Sequence, residues 1–397
     1  MKLFPNTVNG VVKALDEIFN GHSYADKVIE RVLKSNPKWG ARDRAFIAES
    51  VYEIVRWWRL VQTLSPSQDF YHVFGTYWVM NSRTLPDWEE FKGIDARKIK
   101  SQYERLTERA VLQSIPDWLD QMGEGQLDEK WEKELESLNQ EAEVVLRTNT
   151  LKTTRENLQE KLEELGIATY LPKGYPDALV LRERKNVFRT PLFKEGLFEV
   201  QDASSQLVAA ALEVQPGMRV IDACAGAGGK SLHLAAMMEN KGRVLSLDTE
   251  AWKLQNTKLR ARRAGVSIIE TKTIEGNKTI KRLQNSADRL LLDVPCSGLG
   301  VLRRNPDTKW KTSPVTIKKV MGIQKDILSQ YPQMLKPGGI LVYATCSILP
   351  SENTQQVKAY LETPAGAEFE LLEENQVLSH ESGFDGFYIA KMRKKES

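Results

Sequence analysis

The sequence predicts an α/β protein: a doubly wound parallel sheet in its later half, preceded by a small α+β module and an all-α domain. Three observations carry that prediction. From about residue 216, short apolar runs alternate with helix-like segments, as strands buried on both faces and joined by crossover helices do. Between about 143 and 215, shorter apolar pieces flank one amphipathic stretch. Before that, apolar residues recur at three- and four-residue steps, the helical period. The boundaries are placed at 1–142, 143–215 and 216–397; at 397 residues the chain is too long for a single typical core.

Taken in order, VVKALDEIFNGHSYADKVIERVLK and RDRAFIAESVYEIVRWWRLVQTL read as helices, joined by the cap- and turn-rich SNPKWGARD. That connection is basic through Lys34, Lys38, Arg42 and Arg44, either as a solvated loop or as a patch for an anionic polymer. EKWEKELESLNQEAE reads as a charged surface helix. In the module, VVLRTNT is strand-like, TRENLQEKLEELGI is a helix ending at Gly166, and DALVLR and GLFEVQD are further apolar pieces. The strands of the main sheet are MRVIDAC, GRVLSLD, SIIETKT, DRLLLDVP and GGILVYAT, with helix-like KSLHLAAMM and AWKLQNTKLRARRAG between them. Arg260, Arg262 and Arg263 on the latter read as a solvated face.

Composition excludes several classes. Three cysteines, with no CxxC pair, argue against a disulfide framework or a zinc site, and the four histidines are scattered. The amino terminus lacks a signal-peptide core, and no apolar run approaches a membrane span. The expectation is a soluble, cytoplasmic protein without a metal, and nothing demands more than a monomer. A net charge of +3 permits an anionic partner without requiring one.

The first strand of the sheet runs into DACAGAGGKS. The small residues Cys224, Ala225, Gly226, Ala227, Gly228 and Gly229, closed by Lys230, allow a tight turn and close approach of backbone to a ligand. The spacing is neither that of a phosphate-binding GxxxxGK[ST] loop nor the strict GxGxxG. The second strand ends in Asp248, where a carboxylate can accept two hydrogen bonds from a ribose diol. Together these features suggest a nucleoside cofactor without phosphate. S-adenosylmethionine fits, and a dinucleotide competes.

The fourth strand ends in LLDVPCSGLGVLRRNPDTKW and the fifth in YATCSILPSEN. Adjacent strand ends of a doubly wound sheet open onto one crevice, so Asp293, Cys296 and Cys346 can meet beside the cofactor. A thiolate next to a methyl donor suits addition to carbon 6 of cytosine, which turns carbon 5 into a nucleophile. Asp293 near ring nitrogen 3 would stabilise the adduct. Cys224, inside the turn, reads as packing.

DACAGAGGK, LLDVPCSGLGVLRRNPDTKW and YATCSILPSEN, with QDASSQLVA and GFDGFYIAKMRK, resemble the RsmB/Nop/Sun family of RNA cytosine-5 methyltransferases over roughly 145–392. The helical first part resembles, less specifically, a NusB-like RNA-binding domain, and the module an RRM-like subdomain that helps hold RNA. The resemblance implies a Rossmann-like catalytic domain. It implies Cys346 as the nucleophile, Cys296 as the thiol that helps resolve the adduct, Asp293 holding the base and bordering the cofactor, and Lys230 pointing into the site. The turn from Cys224 to Lys230 would line the methionine part of S-adenosylmethionine, and Asp248 its ribose. Two departures stand out: Gly226 and Ala227 replace the usual Ala-Pro of CAAPGGK, and no Asp follows the third strand, leaving Glu275, then Asn277, as candidates near the adenine. Arg303, Arg304, Lys309 and Trp310 suggest a phosphate and stacking track for RNA.

The leading expectation is therefore a ribosomal RNA cytosine-5 methyltransferase, with 16S RNA as target. A transfer RNA target and a non-catalytic RNA-binding assembly factor are the alternatives, and a dinucleotide-dependent oxidoreductase is a more distant one.

Overall fold

The computed structural model describes residues 2–396. It contains two compact units: the chain up to Asn139 together with Leu302–Pro314, and Gln140–Val301 together with the chain from Val315. The sequence reading placed 302–314 inside the catalytic domain; in the structure that segment belongs to the helical unit.

The helical unit begins with Pro5–Phe19, Ala25–Ser35, Ala41–Arg56 and Trp58–Leu64. The first expected helix is thus broken around Gly21 and His22, where φ reaches 50°, and the second changes course at Trp57. Val11, Leu15, Val28, Ile47, Val51 and Ile54 form its core with Phe74 and Trp78. The basic connection is partly structural, because Arg44 donates to the carbonyls of Leu33 and Trp39 and so closes the loop it belongs to. The expected charged surface helix, Trp131–Leu138, buries Trp131, Leu135 and Leu138.

In the second unit, β1 (Val145–Thr148), β2 (Thr169–Tyr170), β3 (Ala178–Leu181) and β4 (Phe198–Val200) form an antiparallel sheet in the order β2-β3-β1-β4. Helix Arg155–Glu164 buries Leu158 and Leu162 against this sheet's core.

The main sheet holds β5 (Arg219–Asp222), β6 (Arg243–Asp248), β7 (Ile269–Thr273), β8 (Ala287–Asp293), β9 (Leu335–Thr345), β10 (Phe369–Val377) and β11 (Phe387–Lys394). Its order is β10-β11-β9-β8-β5-β6-β7. The five expected strands are parallel neighbours, while β11 pairs antiparallel with both β9 and β10. β10 carries charged or amide side chains at five of its nine positions (FELLEENQV), as a solvated edge strand does, which is why apolar runs do not reveal it. The strand order reverses between β5 and β8, and a crevice opens at their carboxyl ends. No helix among the described residues is long and apolar enough to cross a membrane.

Candidate active site

The turn between β5 and helix Gly229–Met237 is built for close approach. Gly226 and Gly228 take φ of 54° and 79°, which favours glycine. A Cβ on Gly228 would lie 2.4 Å from the Thr257 side chain. The Gly226 N–H donates to Asp248 Oδ2 at 2.9 Å, and the Glu250 N–H to Oδ1 at 2.8 Å. Asp248 therefore braces the turn, and each of its oxygens keeps a lone pair for a diol.

This turn borders a cleft of about 690 Å³. Cys224, Gly226, Asp248 and Asp293 line it, with apolar surface from Ile274, Ile280, Ile327 and Tyr331. Helix Pro314–Gln330 and the turn after it supply Ile327 and Tyr331, which motif reasoning missed because they lie far along the chain. Asn277 lines the cleft. Glu275, the first candidate for the adenine contact, is exposed and outside that lining. Gly276, at φ 118°, turns the backbone between the two residues.

Beyond the cleft, the two thiols meet as the sequence suggests: Cys296 Sγ and Cys346 Sγ are 3.3 Å apart. The hydrogen bond to Cys346 and burial push the Cys296 thiol well up, so it holds its proton. Lys230 Nζ donates to Asp293 Oδ2 at 2.7 Å. Burial pulls Lys230 down, but Asp293, by charge and hydrogen bond, outweighs it and leaves the ammonium raised. Cys224 packs at the edge of the sheet core, and burial, followed by Asp222, Asp293 and Asp248, pushes its thiol well up. That environment gives a structural thiol.

A buried carboxylate that sequence reasoning missed joins the two cysteine loops. Glu352 Oε1 accepts from the Ser297 N–H at 2.8 Å and from Gln324 Nε2 at 3.1 Å. Its Oε2 accepts from the hydroxyls of Ser297 and Ser347. Glu352 thus bonds to the residue following each cysteine. Asn353 completes the fold of the segment, donating to Ser347 O at 2.9 Å. The only signal in the sequence was the SEN after TCS, and its partners 297 and 324 are distant.

The RRNPDTKW expectation needs correction. Lys309 is 1% exposed, and its Nζ donates to Asn139 Oδ1 at 2.9 Å. The Trp310 indole donates to Val55 O at 2.7 Å and packs on the helical core. Arg303 is also buried, while Arg304 is partly exposed. Lys309, Trp310 and Arg303 are spent on packing, so they do not offer a surface track. Arg260 and Arg263 are not a solvated face either, since both pair with the buried Glu199.

A glycine-rich backbone, a diol-ready carboxylate and an apolar wall fit a nucleoside with a short tail. The fold and this cleft define the class: a Rossmann-like methyltransferase whose cofactor is S-adenosylmethionine. Residues 209–393 match the family model described as 16S rRNA methyltransferase RsmB/F, and 115–188 that of a ferredoxin-like domain of RsmF/B-like methyltransferases. The chain is similar to the probable ribosomal RNA small subunit methyltransferase B of Synechocystis, 32% identical over 96% of this chain and 97% of that one. A methyltransferase homolog from Pyrococcus horikoshii superposes with a TM-score of 0.64 at 27% identity, over 72% of this chain and 97% of that one. The crystal structure of PH0851 shares the fold at a TM-score of 0.83 and 23% identity, over 99% and 100% of the two chains. The chain belongs to the RsmB/F family and is an S-adenosylmethionine-dependent ribosomal RNA methyltransferase.

Proposed function

We propose that this protein methylates carbon 5 of a cytosine in small-subunit (16S) ribosomal RNA through a covalent adduct with Cys346. The observation that carries this reading is the pair of sulfurs 3.3 Å apart, beside the Lys230–Asp293 pair that borders the cofactor cleft. Bound S-adenosylmethionine supplies an electrophilic methyl group on sulfonium. Cys346, as thiolate, adds to carbon 6 of the base, and the displaced ring electrons make carbon 5 nucleophilic. Asp293 holds the edge of the base near ring nitrogen 3, and Lys230 offsets the negative charge that develops on the ring. After methylation a base takes the proton on carbon 5, its bonding electrons re-form the double bond, and the Cys346 sulfur departs as thiolate. Cys296 keeps its proton at rest, so it does not compete in the attack; it serves as that base once its own proton has passed to solvent.

Asp248 takes the ribose of the cofactor, the turn from Cys224 to Lys230 takes its methionine part, and Asn277 takes the adenine. A target base must be unstacked to reach a thiol in such a crevice, so the substrate site is a loop, a bulge or RNA not yet assembled. The protein works as a cytoplasmic monomer.

The test is methyl transfer from labelled S-adenosylmethionine to 16S RNA lacking its modifications, followed by bisulfite mapping. One new 5-methylcytosine is expected. Cys346→Ala abolishes transfer and leaves cofactor affinity within about twofold, because its thiol serves the base and not the cofactor. Cys296→Ala accumulates an RNA-dependent slow band on a denaturing gel. Strong residual transfer by the Cys346 variant would overturn the nucleophile assignment.

A further inference from the structure

The cofactor turn has no proline between Asp222 and Ser231 and carries three glycines. Such a segment loses much conformational freedom when it orders around a ligand. Something else must hold it. Its N–H groups are tied inward: Ala225 donates to Leu247 O, Gly228 to Ala225 O, both at 2.9 Å, and Gly226 to Asp248. Three of its carbonyls are tied outward, each by a side chain from another element. Thr257 Oγ1 donates to Gly226 O at 3.3 Å, Arg260 Nη1 to Ala227 O at 2.8 Å, and Arg147 Nη1 to Gly229 O at 2.6 Å.

Both arginines are anchored in turn. Arg260 donates through Nε and Nη2 to Glu199 Oε2 at 3.3 and 3.0 Å, and Glu199 is 5% exposed. Arg147 is likewise buried and also bonds to Gln201. Arg147 on β1 and Glu199 on β4 face each other as a register pair in the small antiparallel sheet. One edge of the ferredoxin-like module therefore reaches the cofactor turn directly through Arg147 and indirectly through Glu199 and Arg260. A guanidinium suits this geometry because its planar fork carries five donors, which lets it grip a carboxylate and a carbonyl at once.

We propose that Arg260 and Arg147 are positioning residues that stiffen the cofactor turn in place of a proline, so that the small module sets the affinity for S-adenosylmethionine. This rests on the reading of the cleft as the cofactor site. Neither arginine enters the lining of the cleft, so they act through the backbone of the turn.

Arg260 is the residue to test, because Arg263 still pairs with Glu199 when Arg260 is removed and the buried carboxylate keeps a partner. Calorimetric titration with S-adenosylmethionine should show binding by the parent protein. Arg260→Ala should weaken that binding about tenfold, the scale of one charge-assisted hydrogen bond felt indirectly. The loss should appear as a raised KM for the cofactor, with kcat at saturation little changed. Arg260→Lys, which lacks the fork, should recover little. Among the described residues the Ala227 N–H makes no hydrogen bond, and its φ is not positive, so a proline there removes no donor in use and meets no left-handed backbone at its own position. Ala227→Pro added to Arg260→Ala should restore most of the affinity by restricting the free turn. Equal affinity of Arg260→Ala and parent would overturn the clamp, as would a loss that Ala227→Pro leaves unrepaired. If the parent itself binds no S-adenosylmethionine, the reading of the cleft fails instead, and the two failures are told apart in one titration series.

Discussion

At the scale of single residues, the chemistry is set by where carboxylates and thiols lose water. Asp222 ends β5 beneath the cofactor turn, is 1% exposed, and accepts from Ser231 Oγ at 2.6 Å. Burial pushes its carboxyl up to about 7, against the pull of Ser231. Ionising it in the folded chain costs on the order of 4 kcal/mol. The folded state holds this proton more tightly than the unfolded chain, so the stabilisation is complete below the unfolded carboxyl range and is lost as pH rises through about 7. Asp222→Asn should therefore gain on the parent by about 2 kcal/mol or more between roughly pH 5 and pH 7.5. Urea denaturation at both values checks this; parallel stabilities across the range would refute it. The two neighbouring sulfurs show the same dependence on surroundings: adjacent strand ends bring them together, and the hydrogen bond to Cys346, with burial, pushes the Cys296 thiol up.

At the scale of elements, the two cysteine loops are held by backbone contact that leaves no room for a side chain. The Gly300 N–H donates to Cys346 O at 2.9 Å, and the Gly386 N–H to Gly300 O at 2.7 Å. A Cβ on Gly300 would lie 2.3 Å from Gly386 O and 2.8 Å from Cys346 O. The PCSGLG, TCS and FDGF stretches thus meet at this glycine, with Glu352 bracing the first two from the other side. Gly300→Ala should cost about 1–3 kcal/mol in stability. It should also slow single-turnover methyl transfer on the order of a hundredfold, because a shift of about 1 Å misaligns reacting groups. Rapid-quench kinetics beside a denaturation curve separate the two effects, and a normal rate in the folded variant would show that this contact does not position Cys346.

At the scale of the whole molecule, the chain leaves the main sheet after Val301, joins the helical unit over Leu302–Pro314, and returns at Val315. Within that unit Asp307 accepts from the Ala25 N–H at 2.9 Å, Arg56 Nη2 donates to Arg303 O at 3.0 Å, and Lys309 is enclosed with its Nζ 5.3 Å from the Trp310 ring centroid. Burial, with Arg56 adding repulsion, holds the Lys309 amine well below its ordinary range. A lowered lysine contributes stability at high pH and loses it as pH falls through the folded value. Lys309→Met should then stabilise the helical unit by about 1 kcal/mol near neutral pH, with a gain that shrinks toward about pH 9. Thermal unfolding at the two pH values reads this directly. A variant less stable than the parent at neutral pH would mean that the bond to Asn139 outweighs the cost of burial.

Much of this protein was legible in local pattern. The five parallel strands, the helix of the small module and the helical first part follow from spacing, because period and burial are properties of neighbours in sequence. The cofactor turn and both cysteine loops were legible too, since a doubly wound sheet sends its strand ends to one crevice. The edge strand β10 was not, because exposed polar residues on a solvated strand hide its period. Nor were the partners of side chains. RRNPDTKW looks like a basic surface and is packing; Arg260 looks solvated and grips Ala227; Glu352 looks like a loop acid and bridges both cysteine loops. Local pattern in the chain was enough for the five parallel strands, for which residues stand at each strand end, and for the kind of cofactor. Which charged groups are buried and paired was settled by the folded arrangement alone, because desolvation and hydrogen bonding depend on residues brought together from tens to hundreds of positions apart.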